Sequence, residues 1–291
     1  MLEGRVIRSH SNVHYVDVGT EVLECRPRGR LRYQKEKVLT GDLVRVSRAG
    51  PGLGVIDEVL PRRNALVRPP VANVDQVILV FALREPDIDL LLLDRLLVLT
   101  AMEGLSAVVC LNKADLAGER ETRGLARVYE AAADRLLVTS ALTGEGVEEL
   151  RETLAGRISV FAGPSGAGKS SLLNALNPEL GLRTGAVSRK VRRGVHTTRH
   201  VALVSTGDGG LVADTPGFTH LELEGLDPVD LSWLYPEMRV LCGSCRFSGC
   251  LHRAEPGCRV KEAVEEGTID RGRYDRYLTL LSEVEQKARP W

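Results

Sequence analysis

The chain has 291 residues, 43% of them hydrophobic and 27% charged, with 39 Lys and Arg against 39 Asp and Glu. This composition can bury a sizeable core, which excludes disorder over the whole length and suggests two or three domains. The longest apolar stretch, Ile88 to Thr100, is broken by Asp89, Asp94 and Arg95, short of the about 18–20 uncharged residues of a membrane span, and residues 1–10 carry no apolar signal core, so a cytoplasmic protein without membrane attachment is expected.

The first sixty residues predict short strands near Gly4–Ile7, His14–Val18, Val22–Cys25, Leu43–Val46 and Gly54–Leu60, separated by turn residues. Five strands in that length suggest a small OB-type barrel, with an SH3-like barrel as the alternative. Arg26, Arg28, Arg30, Arg32, Lys35 and Lys37 fall together on one long loop. Solubility would account for them, but small barrels also use such loops to hold nucleic acid. Pro61–Pro70, rich in Arg and Pro, reads as a linker.

Beyond it the rhythm changes. Buried-strand runs at Val77–Ala82, Ala107–Leu111, Arg135–Thr139, Ile158–Ala162 and Leu211–Ala213 alternate with helical patterns at Asp89–Met102, Glu119–Ala132, Val147–Leu154 and Lys169–Asn174. That alternation predicts an open α/β sheet with ligands at the carboxyl ends of its strands.

Those ends carry the chemistry. Asn112-Lys113-Ala114-Asp115 follows the second run. A carboxylate there can accept both guanine N1–H and the exocyclic N2–H, a donor pair that adenine lacks. The four residues match the NKxD signature of GTPases, and by that resemblance Asp115 reads guanine, Asn112 orients the site and Lys113 lays its stem along the base. Thr139-Ser140-Ala141, after the third run, resembles the segment whose backbone N–H meets guanine O6; a tight turn is the plainer reading.

Gly163-Pro164-Ser165-Gly166-Ala167-Gly168-Lys169-Ser170 is a complete GxxxxGK[ST] phosphate loop between a strand and a helix. Its glycines let backbone N–H groups close on phosphate oxygens, Lys169 reaches the β- and γ-phosphates, and the Ser170 hydroxyl ligates magnesium. Arg183–His200 then holds six basic residues, two histidines and no acid, either a solvated face or a phosphate-contacting segment. Thr197 or Thr198 is expected to supply the switch threonine for magnesium. Asp214-Thr215-Pro216-Gly217 resembles the DxxG element, with Asp214 on magnesium through water and Gly217 N–H on the γ-phosphate. Common GTPases place the phosphate loop first and NKxD later; here the base-reading pieces precede the phosphate pieces, which marks a circular permutation.

Four of the six cysteines crowd the C-terminal part. Cys245-x4-Cys250-x-His252-x5-Cys258 suits a closed, tetrahedral structural zinc site. Cys242 lies three residues before that group's start, as Cys242-x-x-Cys245, and could replace His252 in a four-cysteine site. Few apolar residues flank the cluster. Helices are expected over Arg259–Glu266 and from Arg271 to about Ala288, the latter with Tyr274, Tyr277, Leu278 and Leu281 on one face.

With these pieces in place, the chain resembles the ribosome small-subunit-dependent GTPase A family. The residues that carry the likeness are Gly163–Ser171, Thr184-Gly185 through His196-Thr197-Thr198, Asp214–Phe218, and Cys245 through Cys258 with Glu255-Pro256-Gly257 inside it. The resemblance implies a permuted P-loop GTPase domain of α/β class (residues 63–221), flanked by an OB-fold RNA-binding barrel (1–62) and a zinc-binding helical domain (222–291). It implies a monomer that binds GTP and GDP, engages the small ribosomal subunit and its rRNA late in maturation, and hydrolyses GTP slowly alone and faster on the subunit. Family members commonly have Gly-Arg-His-Thr-Thr where this chain has Gly194-Val195-His196-Thr197-Thr198. Phe218 stands where many GTPases place a water-orienting Gln, a substitution shared with the family. His196 and His220 are candidates for positioning water, or plain surface histidines of the switch. Two rival readings are a P-loop ATPase, against which Asp115 argues, and a non-catalytic RNA-binding module with a vestigial nucleotide site, against which Lys169, Ser170 and Asp214 argue.

Overall fold

The structure, a computed structural model, describes residues 1–29, 37–67, 69–182, 201–214 and 221–288. Its strands are β1 (Leu2–His10), β2 (Val13–Asp17), β3 (Val22–Pro27), β4 (Leu43–Gly50), β5 (Leu53–Val59), β6 (Gln76–Ala82), β7 (Ser106–Asn112), β8 (Arg135–Val138), β9 (Ile158–Ala162), β10 (Ala202–Gly207) and β11 (Gly210–Asp214). Its α-helices are α1 (Leu90–Met102), α2 (Glu119–Glu130), α3 (Val147–Leu154), α4 (Lys169–Leu176), α5 (Pro236–Cys242), α6 (Arg259–Glu265) and α7 (Arg271–Ala288). The chain divides into two compact units: Met1–Gln76 with Val147–Ser165 and Ser170–Thr219, and Val77–Gly146 with Gly166–Lys169 and His220–Trp291.

In the first unit, β1–β2, β2–β3, β4–β5 and β1–β4 pair antiparallel, and a parallel β3–β5 pair closes the circuit. Closure by a parallel pair decides for the OB-type barrel over the SH3-like alternative. Alternation along the strands points Val6, Val16, Leu23, Cys25, Val44, Val46, Ile56 and Val59 into a shared core with Val38. Arg28 pairs with Asp57 at 2.9 Å, while Arg30, Arg32 and Lys35 lie outside the described residues.

The expected linker is tied down rather than loose. Arg62 donates to both oxygens of the buried Asp42, Nε–Oδ1 at 2.7 Å and Nη2–Oδ2 at 2.8 Å. Asn64 exchanges two hydrogen bonds with the backbone of Val74. The Arg62–Asp42 contact, two-pronged and charge-assisted, fixes geometry as well as adding attraction.

Away from the barrel, Arg8 of β1 pairs with Ala202 of β10, β10 pairs with β11, and β11 runs parallel to β9. The sequence reading has no strand over 202–207. Its half-buried alternation is weaker than the run of β9, which is buried throughout and apolar except for Ser159.

In the second unit β6 is buried along its whole length and β7 and β8 pair in parallel. Asp89 caps α1, accepting from Leu92 N at 2.9 Å. That helix packs against α7 around a buried ionic cluster. Asp94 accepts from Arg273 Nη1 (2.7 Å), Arg276 Nε (2.6 Å) and the Tyr129 hydroxyl (2.6 Å), while Arg273 also pairs with Glu237 at 2.7 Å. Burial opposes the charge on Arg273, but Asp94 and Glu237 outweigh it and hold its pKa above the ordinary value. On α7 the buried face is Arg273, Tyr274, Tyr277, Leu280, Leu281 and Val284. Leu278, expected on that face, is only partly buried.

Candidate functional site

Backbone hydrogen bonds lace the carboxyl ends of β6, β7 and β8 together: Leu83 N to Asn112 O (2.9 Å), Thr139 N to Leu111 O (2.8 Å) and Ala114 N to Thr139 O (3.1 Å). These bonds present Asn112–Asp115 and Thr139–Ala141 side by side, where open α/β sheets bind ligands. Lys113 takes a left-handed backbone, φ 59°, and its Nζ donates to Glu85 O. Asp115 is exposed, and its Oδ1 accepts from the buried Ser140 hydroxyl, which orients the carboxylate.

The phosphate loop leaves β9, and α4 starts at Lys169. Gly163, Gly166 and Gly168 all have positive φ. At Gly168, φ 95°, a Cβ would lie 2.2 Å from Asn112 Nδ2, so a side chain there would both strain the backbone and displace the Asn112 amide. Asn112 uses that room to donate to Ala167 O at 2.8 Å. The Asn112–Asp115 loop and Ala167 of the glycine-rich loop are thus hydrogen-bonded to each other. Ser165 and Gly166 are exposed and Pro164 half-buried, and Ser170 and Ser171 sit half-buried in the first turn of α4, whose N–H groups favour anions. Burial pushes the Lys169 ammonium below its usual pKa; a phosphate against it would favour the charged form again.

The backbone of Asp214 ends β11, whose Ala213 pairs with Val160 of β9. It therefore lies beside the strand that feeds the phosphate loop. Gly217, His196, Thr197, Thr198, Phe218 and His220 lie outside the described residues.

One contributor escaped the sequence reading. The Glu85–Pro86 turn after β6 receives Lys113 Nζ, and Pro86 Cδ would be 3.3 Å from a Cβ at Gly166. Its signal was its place, directly after a buried strand at the ligand-binding edge.

In the C-terminal part, one ligand atom each from Cys245, Cys250, His252 and Cys258 fall within 4.8 Å of one another. His252 Nδ1 lies 3.3 Å from Cys258 Sγ and 3.6 Å from Cys245 Sγ. These are edge lengths of a tetrahedron with bonds of about 2.0–2.3 Å, so the group fits a four-coordinate metal ion. Cys242 Sγ instead faces His252 Nε2 at 3.6 Å, which places His252 rather than Cys242 in the group. The loop is held from outside by Tyr274, whose hydroxyl donates to His252 O (2.6 Å), and by Tyr277, which donates to Leu251 O (2.9 Å). Contrary to expectation, buried apolar residues adjoin it: Val260 and Ala263 on the helix that Cys258 caps, and Tyr274 and Tyr277 on α7. Burial pushes the Cys250 thiol up to about 12 and that of Cys258 in the same direction. A metal must therefore displace their protons.

Comparison with known proteins gives a consistent picture. The RsgA GTPase family model matches residues 59–224 and the RsgA N-terminal domain model residues 3–56. Small ribosomal subunit biogenesis GTPase RsgA of Moorella thermoacetica is 53% identical over 97% of each chain, and that of Geobacillus thermodenitrificans 47% identical over 99% of each. Among solved structures, YjeQ from Thermotoga maritima superposes with a TM-score of 0.86 at 40% identity over 99% of each chain. YloQ, described as a circularly permuted GTPase, gives 0.83 at 36% identity over 100% of this chain and 97% of that one.

Proposed function

The chain belongs to the RsgA GTPase family and is a ribosome-biogenesis GTPase, and from that premise we propose that it acts on the small ribosomal subunit late in maturation, with GTP hydrolysis slow alone and accelerated on the subunit. The observation that best supports use of the nucleotide site is the Asn112–Ala167 hydrogen bond, which holds the base reader and the phosphate loop in one arrangement. In this reading Asp115, Asn112, Lys113, Ser140 and Ala141 take guanine, and Gly163–Ser171 takes the phosphates. Ser170 and Asp214 would hold magnesium, which neutralises charge on the β- and γ-phosphates. Thr197 or Thr198, Gly217 and His196 would complete the site from the switch segments. We further propose the division into barrel (1–62), permuted GTPase (63–221) and metal-binding part (222–291), and a monomeric protein working in the cytoplasm. Among the described residues no helix is long and apolar enough to cross a membrane.

Control by the subunit rests on charge. Arg183, Arg189, Lys190, Arg192 and Arg193 precede the switch threonines in sequence and Arg199 follows them, so rRNA phosphates that bind these residues would act on the threonines between them. Neutralising Arg189, Lys190, Arg192 and Arg193 is expected to lower subunit stimulation at least tenfold while leaving GTP affinity within about twofold, and raising salt is expected to mimic the change in the unmodified protein. Subunit-stimulated turnover across salt concentrations, beside GTP binding to the free protein, checks both arms. Equal stimulation of both proteins at every salt concentration would rule this segment out.

For the metal, we propose one structural zinc per chain at Cys245, Cys250, His252 and Cys258. Three thiols, of which those of Cys250 and Cys258 are buried, must lose protons to bind it, so affinity is expected to fall steeply between about pH 8 and about pH 6. Elemental analysis of chelator-free protein gives the stoichiometry, and competition with a chromophoric chelator gives the pH dependence. Metal removal is expected to speed amide exchange over residues 243–258 more than along α7, which the Asp94 cluster also anchors.

A further inference from the structure

Cys110, in the middle of the buried strand β7, has no place in the nucleotide chemistry described above. Its Sγ lies 3.1 Å from the Thr139 hydroxyl. That hydroxyl lies 3.1 Å from Asn112 Oδ1, and Asn112 Nδ2 lies 2.8 Å from Ala167 O. All four residues are buried, so each proton along this line must be assigned inside the protein.

The assignment follows from one end. Ala167 O is a carbonyl and can only accept, so the Asn112 side chain must turn its amide nitrogen toward it. Asn112 Oδ1 then faces Thr139 and also can only accept. Thr139 has a single hydroxyl proton, which this contact uses. If Thr139 gave that proton to sulfur instead, two oxygens would face each other at 3.1 Å as bare acceptors, an expensive arrangement in a buried site. The sulfur must therefore be the donor. Burial pushes the Cys110 pKa up to about 12, so the thiol keeps its proton at any physiological pH.

We propose that Cys110 is a positioning residue for guanine-nucleotide binding, whose S–H fixes the Thr139 rotor and through it the orientation of the Asn112 amide on the phosphate loop. Every bond in the relay points one way: Cys110 to Thr139 to Asn112 to Ala167. The proposal rests on the guanine-nucleotide reading of the same site. An apolar side chain at 110 would preserve the strand's packing yet leave Thr139 without its donor. The Asn112–Asp115 loop would then be less firmly held, and bound nucleotide would leave sooner.

Two measurements test it. The first is GDP release from the full-length protein and three variants. Cys110→Val, close in volume and without a donor, is expected to release GDP about fivefold faster, the scale of one lost hydrogen bond. Cys110→Ala should do the same, and Cys110→Ser, which restores a donor, should return within about twofold of the original rate. The second is the infrared S–H stretch of Cys110, isolated by subtracting the Cys110→Val spectrum. A donating thiol absorbs at lower frequency than a free one, and Thr139→Val should move the band back up. Unchanged release from Cys110→Val, release from Cys110→Ser as fast as from Cys110→Val, or a stretch at the free-thiol position would each overturn the relay. An original protein that retains no GDP would overturn the guanine reading itself, and the relay with it. Tight GDP binding with variants equal to it would remove the relay alone.

Discussion

Asp115→Asn is expected to weaken GTP binding by about a hundredfold and to raise affinity for xanthosine triphosphate by a comparable factor. The Asp115 carboxylate would accept two hydrogen bonds from guanine, N1–H and N2–H, each of a charge-assisted kind that contributes about 1.5–3 kcal/mol. An amide at this position can accept one of them and turns an N–H toward the other donor. A net loss of about 3 kcal/mol corresponds to the hundredfold figure. Xanthine carries a C2 carbonyl where guanine has its amino group, and the new amide N–H can donate to it. Ser140 orients the side chain through Oδ1, so Ser140→Ala should produce a smaller loss without the change of preference. Competition binding with GTP, ATP and xanthosine triphosphate measures all three effects. GTP affinity of the Asp115→Asn protein within threefold of the original would exclude Asp115 as the base reader.

The largest effect on stability is expected from Asp94→Ala. Asp94 is fully buried and Arg273 is only 2% exposed, and the carboxylate accepts from Arg273, Arg276 and Tyr129 together. Removing it leaves Glu237 as the carboxylate facing Arg273 and strips Arg276 of its short contact. Breaking one side of a buried pair costs about 3–5 kcal/mol, because the remaining charge stays out of water without compensation. For a protein of this size that is a fall in Tm of roughly 10 °C. Asp94→Asn, which keeps hydrogen-bonding atoms but not the charge, should fall between the two. Thermal unfolding of the three proteins checks the order, and a shift under about 2 °C for Asp94→Ala would show that the cluster contributes little net stability.

This cluster also marks where reading the sequence stopped. Asp94 and Arg95 looked like charges interrupting an apolar run. Nothing local shows that Asp94 is answered by Arg273 and Arg276, which lie 179 and 182 residues later in the chain. The same holds for Arg62, which read as part of a linker until the fold brought it onto Asp42. Strands β6 and β7 were legible because burial on both faces writes an unbroken apolar run, and β9 because its run is broken only by Ser159. Helix α5, seven residues long, is too short to show a period, and β10 too alternating to show a run. The proposed nucleotide loops stand out in the sequence for another reason. Phosphate and guanine recognition need particular atoms at fixed spacing, so Gly163–Ser170 and Asn112–Asp115 announce themselves in the residue order. What the order could not reveal is their mutual contact, Asn112 against Ala167 beside Gly168, where any Cβ would push the Asn112 amide aside.

The most direct test of this account is multiple-turnover phosphate release by the purified full-length chain, with GTP and with ATP, in the presence and absence of purified small ribosomal subunits. The account predicts slow release from GTP alone, a rise of tenfold or more when small subunits are added, and no release from ATP above background in either condition. Equal turnover of ATP and GTP, or a GTP rate that small subunits leave unchanged, would contradict it.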